Sequence, residues 1–132
     1  IKMVHLKKIN PLLFVALTVI IYSCNNTARD CEDFHTGNFY TEASANDIIY
    51  KSSFYRNGDG IQIEEFEGKI DSSYVRWVND CEMILSPVNP KSMSEKKNIL
   101  IKILTTTDSS YTYEYSFLGN SNKLKAKAFK IK

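Results

Sequence analysis

The chain has 132 residues and a mass of 15.1 kDa, which allows one domain and excludes two of ordinary size. Its 43% hydrophobic and 24% charged residues are ordinary for a folded globular domain. Five glycines and three prolines exclude collagen-like and low-complexity chains, and aromatic residues are frequent at 12%.

The first 23 residues have the pattern of a secretory signal peptide. Lys7 and Lys8 precede an apolar run of eleven residues, 12–22, whereas a membrane-spanning helix needs roughly 20. The segment Ile21-Tyr22-Ser23-Cys24 then resembles a bacterial lipobox. That resemblance implies a diacylglycerol on the Cys24 thiol, cleavage before Cys24 and an acylated amino group. The alternative is a cleaved signal with an incidental cysteine nearby.

The charge balance changes once the signal is set apart. Residues 1–23 carry three lysines and no acids, so residues 24–132 carry 14 basic and 15 acidic groups, a net charge of −1. Five of those lysines lie in the last ten residues. We therefore expect a membrane partner through the lipid but no nucleic-acid partner. The expected organisation is a signal peptide over 1–23, a tether over 24–33 and a single domain over 34–132.

The cysteine count predicts a disulfide. With Cys24 lipidated, Cys31 and Cys81 remain, and a pair of thiols in an exported compartment is expected to be oxidised. The bridge would close a loop of about 51 residues and stabilise the fold by roughly 4 kcal/mol, an upper-end figure. A zinc site is not expected, because His35 is the only histidine beyond the signal and no C-x-x-C occurs. We expect no metal and no cofactor.

From residue 34 onward, alternating apolar and polar residues separated by turn residues predict an all-β domain. The turn Asn57-Gly58-Asp59-Gly60 is a strong hairpin signal, and the stretch 87–98, with two prolines, is the longest loop. The pattern predicts a small antiparallel meander of about eight strands, forming a closed or half-open barrel after an N-terminal signal helix. The expected strands are 36–41, 47–56, 61–67, 71–79, 81–85, 99–106, 110–118 and 123–132.

An aromatic stripe marks one face of the seventh expected strand. Tyr111, Tyr113, Tyr115 and Phe117 alternate with polar residues, and we expect Phe39 and Trp77 to face the same interior. The stripe has two interpretations. It forms a filled core, or it lines a cavity for an apolar or sugar ligand that the tyrosine hydroxyls contact.

Two acidic features are candidates for chemistry. Glu64, Glu65 and Glu67 cluster after the hairpin turn, and paired carboxylates can do acid–base work, but a solvated outer face is the favoured interpretation. The stretch 57–61 resembles the middle of an EF-hand loop. Because Tyr55 and Phe66 would occupy its anchoring positions, a plain turn is favoured over calcium binding.

Two basic features also have a functional and a structural interpretation. His35 is a candidate catalytic residue, although a surface or hydrogen-bonded structural role is favoured. The last expected strand alternates Lys123, Lys125 and Lys127 with apolar residues, and the alternation reverses beyond residue 128, which predicts a bulge there. The lysines suit anionic headgroups or acidic glycans, but protection of an exposed edge strand is favoured.

Two segments together resemble a group of small exported lipoproteins of Bacteroidota, mostly uncharacterised. These are Cys31-Glu32-Asp33-Phe34-His35-Thr36-Gly37-Asn38-Phe39 and Val75-Arg76-Trp77-Val78-Asn79-Asp80-Cys81-Glu82-Met83-Ile84-Leu85. In that group a cysteine precedes a T-G-x-F strand, and a W-x-x-x-C-E-x-x-L segment follows. Met83 stands where an aromatic residue is more usual. The resemblance implies paired cysteines at these two places and no catalytic residues.

The same group includes proteins that carry a DNA topoisomerase IV label. This chain is too short for a nucleophilic-tyrosine domain and an ATPase, so that activity is not expected. Gly37-Asn38-Phe39 is also similar to the G-x-W of the first strand in lipocalin-like barrels. The resemblance implies a barrel that holds a small molecule.

Three functions remain open on the sequence. The first is a non-catalytic module of the bacterial envelope that binds a small apolar or amphiphilic ligand through Phe39, Trp77 and the aromatic stripe. The second is a structural or protein-interaction module with a filled core, acting through its outer face and loop 87–98. The third, an enzyme, is not expected, because no acid–base cluster assembles in the sequence. We expect an outer-membrane anchor with the domain on the periplasmic side or the cell surface.

Overall fold

The computed structural model describes residues 29–132, which form a closed barrel of eight antiparallel strands in chain order. The expected all-β barrel is confirmed. The signal peptide, the lipidation site at Cys24 and the first part of the tether lie outside the described residues. Within them, no helix has the length and apolar character needed to cross a bilayer. The strands are β1 (Gly37–Ala45), β2 (Ile48–Arg56), β3 (Ile61–Phe66), β4 (Lys69–Asn79), β5 (Glu82–Pro87), β6 (Ile99–Thr106), β7 (Ser110–Phe117) and β8 (Leu124–Ile131).

The last strand closes the barrel and is not an edge. β8 pairs with β7 over residues 124–129 and with β1 over residues 127–131, so it has a neighbouring strand on each side. The expectation that Lys123, Lys125 and Lys127 protect an edge strand is therefore wrong, because closure leaves no edge to protect. Instead Lys123 pairs with Glu114 at 3.3 Å. Such an exposed ion pair contributes little to stability.

The bulge expected near residue 128 is also absent from the ladders that β8 forms. Its register with β7 and β1 runs without interruption, and Phe129 simply faces outward. There its ring stacks on Tyr40 of β1, with ring centroids 4.8 Å apart. The register shifts occur elsewhere, between Trp77 and Asn79 and between Ile103 and Thr105. An outward aromatic pair thus produced the phase reversal seen in the sequence.

The hairpin turns follow from residues that tolerate positive φ. Asn46 and Asp47 have φ of 51° and 62°, which form a tight connection between β1 and β2. The first strand therefore ends at Ala45, four residues beyond its expected end. Asn57 folds its side chain into the next turn, where Oδ1 accepts the N–H groups of Asp59 and Ile61, each at 3.0 Å. This is a hairpin turn, and no group of three or more His, Cys, Asp or Glu side chains within residues 29–132 is placed to hold a metal.

One end of the barrel is sealed by the segment that enters it. A single 3-10 turn, Glu32–Phe34, carries the Phe34 side chain into the barrel, where it is 1% exposed. The expected disulfide joins Cys31 to Cys81, at the β4–β5 turn, with Cα atoms 5.2 Å apart. Arg29 adds a hydrogen bond from Nη1 to the Ile103 carbonyl at 3.0 Å. We call this the sealed end.

The hydrophobic core is concentrated at the sealed end. Its main cluster consists of Cys31, Phe34, Phe39, Phe54, Ile103, Tyr111 and Ala128. A second cluster, Met83, Leu85 and Ile101, covers the β5–β6 wall, and Trp77 and Tyr113 pack against both. The interior is consequently packed at one end, and the other half of the barrel is left for the cavity described below.

The disulfide should make a large contribution to stability, because it ties the sealing segment to the barrel across a separation of 50 residues. Replacing both Cys31 and Cys81 by alanine should lower the free energy of unfolding by up to about 4 kcal/mol. Thermal unfolding with and without a thiol reductant measures this effect. The reductant should lower the Tm of the natural protein and leave that of the double variant unchanged. Equal Tm values in both proteins under both conditions would contradict this account.

Candidate functional site

The barrel interior holds a cavity of about 330 Å³ beyond the packed end. This volume falls in the range of small-molecule sites and far exceeds the space of one trapped water. Two small inward residues, Ala43 and Ala126, lie where larger side chains would fill the space. The lining residues come from β1, β2, β3 and β5–β8: Thr41, Ala43, Tyr50, Lys51, Ser52, Phe54, Arg56, Gln62, Glu64, Phe66, Leu85, Ile99, Ile101, Tyr111, Tyr113, Tyr115 and Ala126.

A buried guanidinium forms the floor of the cavity. Arg56, the last residue of β2, is 1% exposed. Its Nε and Nη2 donate to Gln62 Oε1 at 3.1 and 2.8 Å, and its Nη1 donates to the Phe34 carbonyl at 2.8 Å. Nη2 also reaches the Tyr111 hydroxyl at 3.5 Å, the outer limit of a hydrogen bond. Arg56 thereby links the floor to the sealing segment.

The charge of Arg56 has aromatic neighbours but no paired anion. Its Cζ lies 5.2–5.5 Å from the ring centres of Phe39, Phe54 and Trp77. Among residues 29–132, no carboxylate comes within 4.0 Å of the guanidinium. A cation–π contact contributes about 0.5–2 kcal/mol, whereas burying an ion costs several kcal/mol. The rings and the neutral acceptors therefore offset only part of the cost of this buried charge.

Polar groups also lie on two opposite walls. On the β2–β3 wall, Ser52 Oγ donates to Glu64 Oε1 at 2.9 Å. On the other side, Thr41 Oγ1 donates to the Lys127 carbonyl at 3.1 Å, so the Tyr113 hydroxyl donates to Thr41 Oγ1 at 3.0 Å. On each wall, hydrogen bonds within the wall fix the positions of the polar side chains.

The rest of the lining is apolar and leads to the open end. Leu85, Ile99 and Ile101 form the β5–β6 side of the cavity. Tyr50 and Phe66 are 40% and 38% exposed, with ring centroids 6.4 Å apart, and form the rim. The cavity thus has a charged floor, partly polar walls and an aromatic mouth.

Burial changes the acidity of two tyrosines in the lining. Burial raises the pKa of the Tyr111 phenol, and the nearby Arg56 opposes that rise. Burial likewise raises the pKa of Tyr113 well above its ordinary value, and the hydrogen bond to Thr41 opposes it only in part. Both phenols are therefore neutral hydrogen-bonding groups at physiological pH.

The structure brings together three of the six aromatic residues expected at a ligand site. Tyr111, Tyr113 and Tyr115 line the cavity. Phe39 is fully buried in the sealed-end core, and Trp77 packs between the two core clusters. Phe117 is 46% exposed, outside the cavity. The cavity lining therefore includes the first three residues of the predicted stripe but not Phe117 at its end.

His35 has the structural position favoured by the sequence. Its ring stacks on Trp77 at a centroid distance of 3.7 Å, and Nε2 lies 2.8 Å from the Asp80 carbonyl oxygen. Both contacts are at the sealed end, outside the cavity lining. They fix the sealing segment to β4 and the following turn.

Arg56 and Gln62 at the floor had no role in the sequence-based predictions, and Glu64 was named there only as a member of an acidic cluster. The interpretation of Glu64 as part of a solvated outer face is wrong, because it faces the interior. Glu65 is exposed on the outside, as expected of a neighbour in a strand. The available signal was alternation: Phe54 is an inward residue, so Arg56 two positions later had to face inward as well.

The outer surface carries an exposed apolar patch. Tyr55, Ile63, Ile70 and Ile131 are each at least 42% exposed and lie around one shallow groove. Strands β2, β3, β4 and β8 contribute these side chains. We call them the outer patch.

Comparison with known proteins adds no assignment to this geometry. No family model matches the chain, and no curated protein or solved structure matches it significantly.

The raised tyrosine pKa values should make the protein sensitive to alkali. The unfolded chain loses its phenolic protons near pH 10, while the folded chain keeps those of Tyr111 and Tyr113. Their contribution to stability is complete below that pH and is lost as the pH rises above it. Tyr113→Phe should flatten the fall of Tm with pH above 10. At neutral pH it should cost about 1 kcal/mol, through the lost hydrogen bond to Thr41.

Tm measured across this pH range, together with the ultraviolet absorbance of phenolate, provides the check. Tyr55→Phe is the control, because Tyr55 is 45% exposed and should leave the slope unchanged. A slope that is identical in the natural protein and in Tyr113→Phe would contradict the buried-phenol account.

Proposed function

We propose that this protein is a bacterial envelope lipoprotein whose barrel binds a small amphiphilic molecule without transforming it. The observation that carries the proposal is the cavity of about 330 Å³ inside the barrel. In an eight-stranded barrel the side chains just fill the interior or leave room for one small ligand. The space next to Ala43 and Ala126 supports the second case.

The chemistry of the lining supports an amphiphilic ligand. Aliphatic and aromatic side chains form most of the lining, while placed polar groups lie at the floor, on Arg56 and Gln62, and on the two walls. Small-molecule sites combine these two features, because apolar area supplies affinity and a few placed polar groups supply orientation. The ligand is therefore expected to have a polar head and an apolar body.

The hydrogen bonds within the lining support binding rather than catalysis. Glu64 is held by Ser52, Tyr113 by Thr41, and Arg56 by the Gln62 amide. The raised pKa of Tyr113 keeps its phenol from acting as a base at neutral pH. These groups are arranged to hold a ligand in place.

Lipidation at Cys24 would orient the barrel on the membrane. Six residues lie between Cys24 and Cys31, so the chain that joins them spans at most about 25 Å. Cys31 lies at the sealed end, and the rim residues Tyr50 and Phe66 lie at the other. We propose that the sealed end faces the lipid surface and that the ligand enters from the side away from the membrane.

Expression of the full chain in a bacterial host tests the anchor. The natural protein should partition with the membrane fraction and carry the mass of a diacylglycerol and an acyl chain on residues 24–132. Cys24→Ala should abolish that mass increase and release the protein. Ser23→Ala is the matched control, because it keeps a small residue before the cysteine. An unlipidated natural protein would overturn the anchor.

Filling the cavity tests the binding function. Calorimetric titration with decanoic acid and with decanol should detect binding of at least one of them to the natural barrel. Ala126→Leu places a larger apolar side chain in the cavity and should weaken binding at least tenfold without lowering Tm substantially. Lys125→Leu is the matched control. It introduces the same side chain at the adjacent, outward-facing position of β8 and should leave the affinity for both probes unchanged.

Absence of binding by either probe, with no bound molecule in native mass spectra of the protein purified from the periplasm, would overturn this function. It would favour the second candidate, a protein-interaction module of the envelope. The observation in favour of that candidate is the outer patch, where four large apolar side chains are exposed together.

A further inference from the structure

We infer that the ligand is a monoanionic amphiphile, a carboxylate with an aliphatic chain, whose headgroup binds Arg56 and Tyr111 on the cavity floor while its chain extends toward Tyr50 and Phe66. The inference rests on the proposed function and names the class of ligand that the same cavity would accept. Four features of the site support it: the hydrogen bonds of Arg56, the hydroxyl of Tyr111, the position of Glu64 and the apolar path to the rim.

Arg56 keeps donor capacity beyond its three short hydrogen bonds. A guanidinium has five N–H groups in a fixed fork. Three short bonds go to Gln62 and Phe34, and the Nη2 contact with Tyr111 is long at 3.5 Å. All these acceptors are neutral. Because charge-assisted bonds to a carboxylate are shorter and stronger than bonds to neutral oxygens, an anion beside Nη1 and Nη2 would be a better partner than any described residue.

The Tyr111 hydroxyl supplies a second donor at the same place. Its oxygen receives the long bond from Arg56, and no described residue accepts its own proton in a hydrogen bond. Its raised pKa keeps that proton on the oxygen at physiological pH. A carboxylate on the floor would accept from the guanidinium and from this phenol together. Both donors line the cavity, and both side chains are almost completely buried.

Glu64 restricts the charge of the headgroup. It lies on the same strand as Gln62, two residues nearer to the mouth, and its Oε1 is held by Ser52. No lysine or arginine nitrogen of the described residues lies within 4.0 Å of this carboxylate. Glu64 would repel a negatively charged headgroup, and it would repel a dianionic phosphate more strongly than a singly charged carboxylate. The site therefore favours a monoanion.

The apolar residues set the direction of the chain. Leu85, Ile99 and Ile101 line the side of the cavity between the floor and the rim. The floor itself is closed by Phe34, so a chain longer than the cavity can leave only past Tyr50 and Phe66. The acid group is accordingly the end that is inserted first.

Three probes of equal chain length test the headgroup on the natural protein. Decanoic acid, decanol and decylamine carry a negative, a neutral and a positive head at neutral pH. Calorimetric titration should show decanoic acid binding at least tenfold more tightly than decanol, and decylamine most weakly. Equal affinities for acid and alcohol would overturn the inference and leave the proposed function standing. Tightest binding of the amine would also overturn it, because Glu64 would then select the ligand. Binding of none would overturn the proposed function itself.

Two substitutions test the roles of the charges. Glu64→Gln removes the repulsion and should tighten decanoic acid severalfold without changing decanol affinity. Glu65→Gln is the matched control, since Glu65 is exposed on the outer face of the same strand. Arg56→Met should abolish the preference for the acid. If Arg56→Met fails to fold, Glu64→Gln still decides the inference, because only the affinity for the acid should change. An unchanged acid affinity in Glu64→Gln would contradict it.

Discussion

The buried guanidinium of Arg56 is the interaction on which the sealed end of this barrel depends. It connects three parts of the chain, because it is located on β2, binds Gln62 on β3 and holds the Phe34 carbonyl of the entering segment. Aromatic rings surround it on the core side. The Arg56 side chain cannot move without breaking several hydrogen bonds. It is therefore fixed at the boundary between the packed core and the cavity.

The disulfide and Arg56 hold the same segment by different means. The Cys31–Cys81 bond limits how far the segment can separate from the β4–β5 turn, and His35 stacks on Trp77 beside it. Arg56 then holds the peptide carbonyl of Phe34 inside the barrel. Small domains bury limited apolar area, so a covalent bond and a hydrogen-bonded network at one end compensate for a core that fills only part of the interior.

The asymmetry between the two ends produces the cavity. Large rings occupy the sealed end, whereas Ala43 and Ala126 face the space beyond it. Arg56 belongs to both regions, since it completes the core and also forms the floor of the cavity. A group that stabilises the core thereby becomes the main charged feature of the candidate site. The exposed outer patch is a separate surface, and strands β2, β3 and β8 contribute to both, through opposite faces.

Local patterns predicted the strands well, because strand alternation and turn chemistry involve residues close in the chain. The eight strands and the Asn57 turn follow from such patterns, whereas the cysteine pair was predicted from the cysteine count. The wrong predictions concern positions whose structure depends on a residue far away in the chain. Phe129 breaks the alternation of β8 because Tyr40 stacks on it from outside, and β1 runs on to Ala45 because it pairs with β2 through Asn46 and Asp47.

The sequence by itself determined the alternation, the turns, the two cysteines available for pairing and the aromatic stripe of β7. Tertiary structure alone decided that the barrel closes, that its packing stops halfway and that Arg56 and Glu64 share one cavity. Alternation predicts which residues of one strand face the barrel interior, but it does not predict which side chains of other strands they meet there. Closure brings β8 beside β1, and the volume left inside depends on the combined size of side chains from every strand. Such a sum of long-range contacts has no counterpart in any short stretch of sequence.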